Sequence, residues 1–276
     1  MQLSPEEWFD ISGQSIRQSL FASGNRIPFL RLWLELLGKR FASVGWHLPD
    51  EFSFPEFKSQ LEKLLNRNRL FKGSWIHLLI IPVFPSTELD FSPSFKCIAL
   101  TEETEFDYFP LNTKGVSIGV SEKYHNTADP LYSSMVRNPL RNLMIKQEAS
   151  LNEWDEIVIT DQNGYFSETS GSNIFIRIKD QVITPSPVNH GFPRIITGIV
   201  NGLISKTGCS LVVSEKLTRE HLTKAEEVFL TDDQNGIQWV LGYEKKRYYR
   251  KISAVLHEEL TELIRTTDQF QAGSSG

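Results

Sequence analysis

The sequence predicts a mixed α/β (α+β) protein of two domains. Apolar residues recur at helical spacing early in the chain, short β-rich runs recur through the rest, and one polar stretch without apolar periodicity separates two regions of different pattern. With 276 residues, 40% of them hydrophobic and 23% charged, the chain is long enough to bury a substantial core.

The first helix is predicted from Phe29 to Val44, where the apolar residues fall on one face. Ser53 and Glu56 form a capping-box pattern around Pro55, so a second helix is expected from Glu56 to Phe71. Three β-rich runs follow, Trp75 to Phe84, Ser94 to Leu100 and Gly115 to Val120, bounded by Pro, Gly and Asp/Ser clusters. They complete a small N-terminal α+β domain over residues 1–120. The polar stretch Ser121 to Pro130 is then the expected linker, and residues 131–271 the larger C-terminal α/β domain.

In that second region a helix is predicted from Asn138 to Ala149. The strand EIVIT, the turn DQNG and strands at Tyr165–Phe166 and Ile174–Ile178 come next, and VIT precedes a Pro-rich loop. A helix from Arg194 to Lys206, a strand from Ser210 to Val213, a short helix from Thr218, strands Glu227–Thr231 and Ile237–Leu241 and a last helix from Ile252 complete the order. The Tyr248–Tyr249 pair, flanked by Lys and Arg, is read as an edge hairpin strand. The tail AGSSG, residues 272–276, is low in complexity and expected to be disordered.

Several function classes are disfavoured. The net charge of -5 and the lack of a Lys/Arg-dense block argue against a nucleic-acid surface. Cys97 and Cys209 are too few for a disulfide framework or a cysteine-rich zinc site, which points to a reducing compartment. The six histidines show no paired spacing, so no metal is assigned. The N-terminus, MQLSPEEWFD, is acidic where a signal peptide would be basic and then apolar, and the apolar run Trp75–Phe84 is too short to span a bilayer. A cytoplasmic protein with no membrane partner is expected.

The segment DQNGYFSETSGSNIFIRIKDQVITPSP reads as a strand, an acidic residue, a small-residue loop, Asn, apolar residues, a turn and a strand ending in Thr-Pro. That order resembles the signature of the class IV aminotransferases, pyridoxal-phosphate (PLP) enzymes that also include aminodeoxychorismate lyase and D-amino-acid aminotransferase. Glu168, Asn173, Phe175, Thr184 and Pro185 fall on its characteristic positions. Gly191 with Ile196–Thr197 at a helix start resembles the family's second PLP-binding segment, and EEVFLTDDQNGIQWV its third. FLRLWLELLGKRFASVGW is similar, more weakly, to its early helix.

The resemblance implies a PLP-type cleft between two domains, a homodimer, and a small amino-acid-like or anionic ligand. It implies cofactor-binding roles for Glu168, facing the pyridine nitrogen, and for Ile196, Thr197 and Thr231 around the phosphate. The family's chemistry needs a lysine amine for the Schiff base and a carboxylate that keeps the pyridine ring protonated. Its phosphate is held by helix-terminal N–H groups, hydroxyls and an arginine.

Four departures from the pattern stand beside the matches. Counting back from Glu168 by the family's interval lands on Ser134 and Met135, so Met135 stands at the expected lysine position and no catalytic residue is assigned. A thioether cannot form an imine. Pro139 falls where an active-site tyrosine is common. In the early helix Leu36 aligns with the phosphate-binding arginine, and Trp33 with the preceding histidine. Asp232 and Asp233 occupy the loop where small residues and a threonine hydroxyl would meet the phosphate, and carboxylates there repel a dianion.

The leading expectation is therefore a family member that has lost Schiff-base catalysis. Two alternatives stand beside it: an active transaminase or lyase using Lys146 or Lys123 as a displaced amine, and a non-catalytic subunit paired with an active paralogue. Arg194, beside the second segment, and Arg137, next to Met135, are candidate anion contacts. The bland readings are an ordinary strand-end carboxylate for Glu168, a helix cap for Thr197, exposed lysines, and salt-bridge partners for Arg137 and Arg194. His190 is the histidine nearest the inferred cleft. The aromatic residues of the early helix are expected in the core or at a dimer interface.

Overall fold

The computed structural model describes residues 15–84, 93–127, 138–189 and 191–271. Ser134, Met135, Arg137 and His190 lie outside the described residues, as does the tail 272–276. The chain divides into two compact units. Among the described residues one comprises 15–108, 138–139 and 266–271, and the other 109–127 and 140–265.

The first unit is built on an antiparallel sheet in the order β1 (Ile16–Ser23), β2 (Gly73–Val83), β3 (Ser94–Glu103). Strand β1 was not expected, because Arg17, Gln18 and Ser19 interrupt its apolar alternation. Its eight residues pair with β2 from Ile16↔Ile80 to Ser23↔Gly73. Helices α1 (Leu30–Ser43) and α2 (Phe54–Arg67) bury Trp33, Leu37 and Phe41, and Phe57, Leu61 and Leu65 respectively. Trp33 stacks on Phe57 with centroids 5.8 Å apart, and Phe41 meets Phe95 of β3 at 4.7 Å, so these aromatics are core. Ser53 is the N-cap of α2, but its side chain makes no cap hydrogen bond. The expected capping box is absent, and Pro55 in the first turn sets the start through its fixed φ instead.

The second unit holds a nine-stranded mixed sheet. Its strands are β4 (Val116–Asn126), β5 (Glu156–Asp161), β6 (Phe166–Thr169), β7 (Asn173–Ile178), β8 (Gln181–Pro185), β9 (Ser210–Ser214), β10 (Glu227–Asp232), β11 (Gly236–Tyr243) and β12 (Lys246–Arg247). The order is β6-β5-β4-β11-β10-β7-β8-β9, with β12 paired to β11. The β4/β5, β4/β11 and β8/β9 pairs are parallel and the others antiparallel. Ile118, Val158, Phe166, Ile174, Ile176, Leu217, Leu222, Val228 and Val240 form its main core.

Residues Ser121 to Asn126, expected in a linker, are the second half of β4, and the division between the units falls at Tyr108/Phe109. Glu122, Lys123 and His125 face solvent, while Ser121 and Asn126 are buried and find polar partners inside. Ser121 Oγ donates to Glu148 Oε2 at 2.9 Å, and Asn126 Nδ2 donates to Ser167 Oγ at 2.9 Å. Helices α3 (Pro139–Leu151), α4 (Ile195–Leu203), α5 (Arg219–Lys224) and α6 (Ile252–Gln271) match their expected places, and α4 continues as a 3-10 turn, Ile204–Thr207. Thr218 caps α5 in a reciprocal box with His221.

The start of α6 is held by a buried carboxylate. Glu227, 1% exposed at the head of β10, accepts the amides of Lys251 (3.0 Å), Ile252 (2.8 Å) and Ser253 (2.9 Å) and the Ser253 hydroxyl (2.6 Å). An anion there also opposes the positive end of the helix dipole. Tyr248 lies past β12 rather than in an edge strand. It is buried, its phenol donates to the Leu222 carbonyl at 2.9 Å, and only Tyr249 faces solvent. No helix among the described residues is long and apolar enough to cross a membrane, and they hold no His/Cys/Asp/Glu group able to bind a metal ion.

Candidate functional site

The four residues given cofactor-binding roles, Glu168, Ile196, Thr197 and Thr231, all fall in the second unit, on β6, at the end of β10 and at the start of α4, and Asn173 joins them at the start of β7. The pairing of β7 with β10 sets Asn173 opposite Thr231, which puts the signature asparagine and the third-segment threonine side by side. The α4 N-terminus brings Thr197 onto both: its Oγ1 lies 2.8 Å from Asn173 Oδ1 and 2.7 Å from Thr231 Oγ1. Because an amide oxygen only accepts, Thr197 donates to Asn173 and the Thr231 hydroxyl donates to Thr197.

Glu168, on β6, is 1% exposed, so its carboxylate depends on donors from the protein. Its Oε2 accepts the Phe192 amide at 3.2 Å and Arg194 Nη2 at 3.0 Å, while Oε1 accepts Asn126 Nδ2 at 3.2 Å. The Arg194 side chain is itself 4% exposed, making this a buried ion pair. Its Nη1 also donates to Asn173 Oδ1 at 2.8 Å and to the Phe192 carbonyl at 3.0 Å, and Asn126 in turn accepts from Arg141 Nη2 at 3.0 Å. The turn that delivers Phe192 and Arg194 needs a glycine: a Cβ on Gly191 would stand 2.8 Å from the Ser167 carbonyl oxygen.

The two aspartates of the third segment, grouped together by sequence, have different places. Asp232 is buried and organises its own turn. Its Oδ1 accepts the amides of Gln234 and Asn235, both at 2.8 Å, and its Oδ2 accepts Ser172 Oγ at 3.1 Å. Asp233 reaches across to α4, where its Oδ1 accepts the Ile196 amide at 3.0 Å. The N-cap residue of α4 is Arg194, whose side chain gives no cap hydrogen bond, so a carboxylate from the β10–β11 turn meets this helix end.

Of the remaining predicted residues, Phe175 and Thr184 serve the fold. Phe175 is fully buried and stacks on Phe229 with centroids 4.9 Å apart, and Thr184 Oγ1 donates to the Ile174 carbonyl. Pro185 ends β8, and Pro139 begins α3. Leu36 and Trp33 lie on α1 of the first unit. Lys123 and Lys146 are both exposed, on β4 and α3. Sequence reasoning named neither Asn126 nor Arg141, since a polar residue inside an apparent linker gives no signal of burial. It offered Arg194 as an anion contact or ion-pair partner without identifying its carboxylate.

The architecture defines a mixed α/β protein with a buried, charged polar cluster where strand ends meet a helix N-terminus. Solved structures share this fold. A branched-chain aminotransferase from Thermoproteus uzoniensis, solved with norvaline, superposes with a TM-score of 0.79 at 20% identity, over 94% of this chain and 88% of that one. A putative 4-amino-4-deoxychorismate lyase from Legionella pneumophila gives 0.73 at 19% identity, over 98% and 95%.

In sequence, a probable branched-chain-amino-acid aminotransferase of Aquifex aeolicus is 32% identical over 121 residues, 43% of this chain and 39% of the relative. Branched-chain-amino-acid aminotransferase-like protein 2 of Arabidopsis thaliana is 26% identical over 180 residues, 64% of this chain and 32% of the relative. The matches thus span well under two thirds of these relatives' length. The family model for amino-transferase class IV matches residues 19–238, more than half of the chain. The chain belongs to the class IV aminotransferase family.

Proposed function

We propose that this chain is a class IV aminotransferase-fold protein without Schiff-base catalysis, a pseudoenzyme of its family whose ligand is a small amino-acid-like molecule rather than PLP. The observation that carries the reading is the buried Glu168–Arg194 pair at 3.0 Å. In the family, the carboxylate at this position faces a protonated pyridine nitrogen. Here its charge is matched by a guanidinium of the same chain, and the donors from Asn126 and the Phe192 amide add to it. A pyridinium would meet a carboxylate already neutralised by a cation that hydrogen-bonds it well.

The residues do not fit PLP in other respects. Met135 stands at the expected lysine position, and Leu36 aligns where the phosphate-binding arginine is expected. The Ile196 amide, which would face the phosphate, is taken by Asp233. Lys123 and Lys146, the displaced-amine alternatives, are exposed lysines outside the polar cluster. A cytoplasmic homodimer is part of the same reading, on the family resemblance.

Titration of the purified protein with PLP, followed by borohydride reduction and peptide mass mapping, tests the proposal. We expect no saturable visible band and no lysyl adduct. A stoichiometric reduced adduct on Lys123, Lys146 or any other single lysine overturns it.

A further inference from the structure

We infer that Asp233 is a built-in anionic ligand for the N-terminus of α4, and that it makes this site refuse phosphate-bearing small molecules as a class. The inference deepens the PLP-free reading above and rests on it.

A helix N-terminus carries unsatisfied amides and about half a positive charge, so it attracts whatever anion is nearest. At α4 that anion belongs to the chain. Asp233 Oδ1 accepts the Ile196 amide at 3.0 Å, within the range of a good charge-assisted hydrogen bond. The helix spans nine residues, enough for its dipole to develop, and its own N-cap side chain contributes no cap bond.

What distinguishes this carboxylate from a passing surface contact is how its turn is held. Asp232↔Gly236 closes the β10–β11 hairpin, leaving residues 233–235 as the loop. The Asp232 carboxylate fixes that loop from inside by accepting the Gln234 and Asn235 amides, and Ser172 Oγ anchors the carboxylate in turn. Gly236 supplies the left-handed corner at φ 70, with its Cα against Phe109, where a Cβ would lie 2.8 Å from that side chain. Asp233 is therefore presented to Ile196 without the entropy cost a free anion pays.

Asp233 also changes the charge seen by an incoming ligand. A phosphate dianion close enough to use the Ile196 amide would stand within a few ångströms of a carboxylate, and in a half-buried setting the repulsion is weakly screened. Thr197 and Thr231, whose hydroxyls could have served a phosphate, are committed to each other and to Asn173. The two aspartates thus divide the work: Asp232 shapes the turn and Asp233 fills the anion position. Exclusion of phosphate is the property assigned to Asp233 alone.

The test follows the backbone amide resonances of Ile196 and Thr197 in the isotope-labelled full chain during titration with inorganic phosphate and, separately, with PLP. It compares wild type with Asp233→Gly and Asp233→Thr. Wild type is expected to show no saturable shift of Ile196 up to about 10 mM phosphate, and the variants to bind phosphate at least about tenfold more tightly with Ile196 as the most shifted amide. Saturable phosphate binding at Ile196 in wild type overturns the inference, and that arm needs no variant. So does failure of both variants, verified as folded by circular dichroism, to gain phosphate binding over wild type. Borohydride reduction after the PLP arm separates the two readings. A lysyl adduct in wild type sinks the PLP-free proposal, whereas phosphate binding at Ile196 of wild type without an adduct sinks only the role of Asp233.

Discussion

Replacing Arg194 with methionine keeps the volume of the side-chain stem but withdraws the cation from Glu168, which is 1% exposed. Breaking a buried ion pair from one side costs about 3–5 kcal/mol, because the remaining charge is left in a poorly solvating medium. Glu168 retains the Phe192 amide and Asn126 Nδ2 as donors, which places the electrostatic part near the lower end, about 3 kcal/mol. Loss of the Nη1 bonds to Asn173 Oδ1 and the Phe192 carbonyl adds about 1 kcal/mol.

Glu168→Gln alone should cost a comparable amount, since it strands the guanidinium. The double variant removes both charges and should be destabilised by only about 1–2 kcal/mol, well below the sum of the singles. Urea unfolding followed by circular dichroism measures each: at an m-value of about 2–3 kcal/mol/M, Arg194→Met lowers the midpoint by about 1–2 M. An Arg194→Met protein within about 1 kcal/mol of wild type, or a double variant as unstable as the two singles summed, would refute the assignment of this pair as the charge balance of the cluster.

Two further outcomes concern the second unit. Glu227→Gln turns one carboxylate oxygen into a donor facing the first amides of α6, so it is expected to cost about 2–3 kcal/mol in the same assay, and a change below about 0.5 kcal/mol would show that the helix start does not depend on the charge. Burial, with the neighbouring Glu244 adding to it and Arg219 partly opposing, pushes the Tyr243 phenol from 10.0 up to about 12. The folded state thus holds this proton where the unfolded chain releases it. Its stabilising contribution is complete below pH 10 and is lost as pH rises from about 10 to 12, and burial moves the Tyr248 phenol in the same direction. Tyr243→Phe should flatten the alkaline fall in stability measured by urea unfolding across that window; an unchanged slope contradicts the sign.

The elements were legible where the physics is local. Helical spacing marks α1, and Ile174–Ile178 reads as a strand because β-branched and aromatic residues fill a short run bounded by turn residues. The turn DQNG after EIVIT separates β5 from β6 because aspartate, asparagine and glycine each satisfy or relax the backbone within a few residues. Where a polar residue is buried by a distant partner, local reasoning loses its hold. Ser121 and Asn126 read as linker until Glu148 and Ser167 are placed beside them, and Tyr248 reads as an edge residue until the Leu222 carbonyl meets its phenol.

At the polar cluster the residue types were enough to place Glu168, Ile196, Thr197 and Thr231 in one family pattern and to set Asp232 and Asp233 against a phosphate. Their pairings were not. Arg194 finds Glu168 across 26 positions of sequence and Asp233 finds Ile196 across 37, each brought into reach by the register of β6, β7 and β10. A carboxylate carries the same charge wherever it stands in the chain. Whether it repels a ligand, shapes a turn or neutralises a neighbour depends on which donor lies within about 3 Å, and that distance is set by the packing of strands far apart in the sequence.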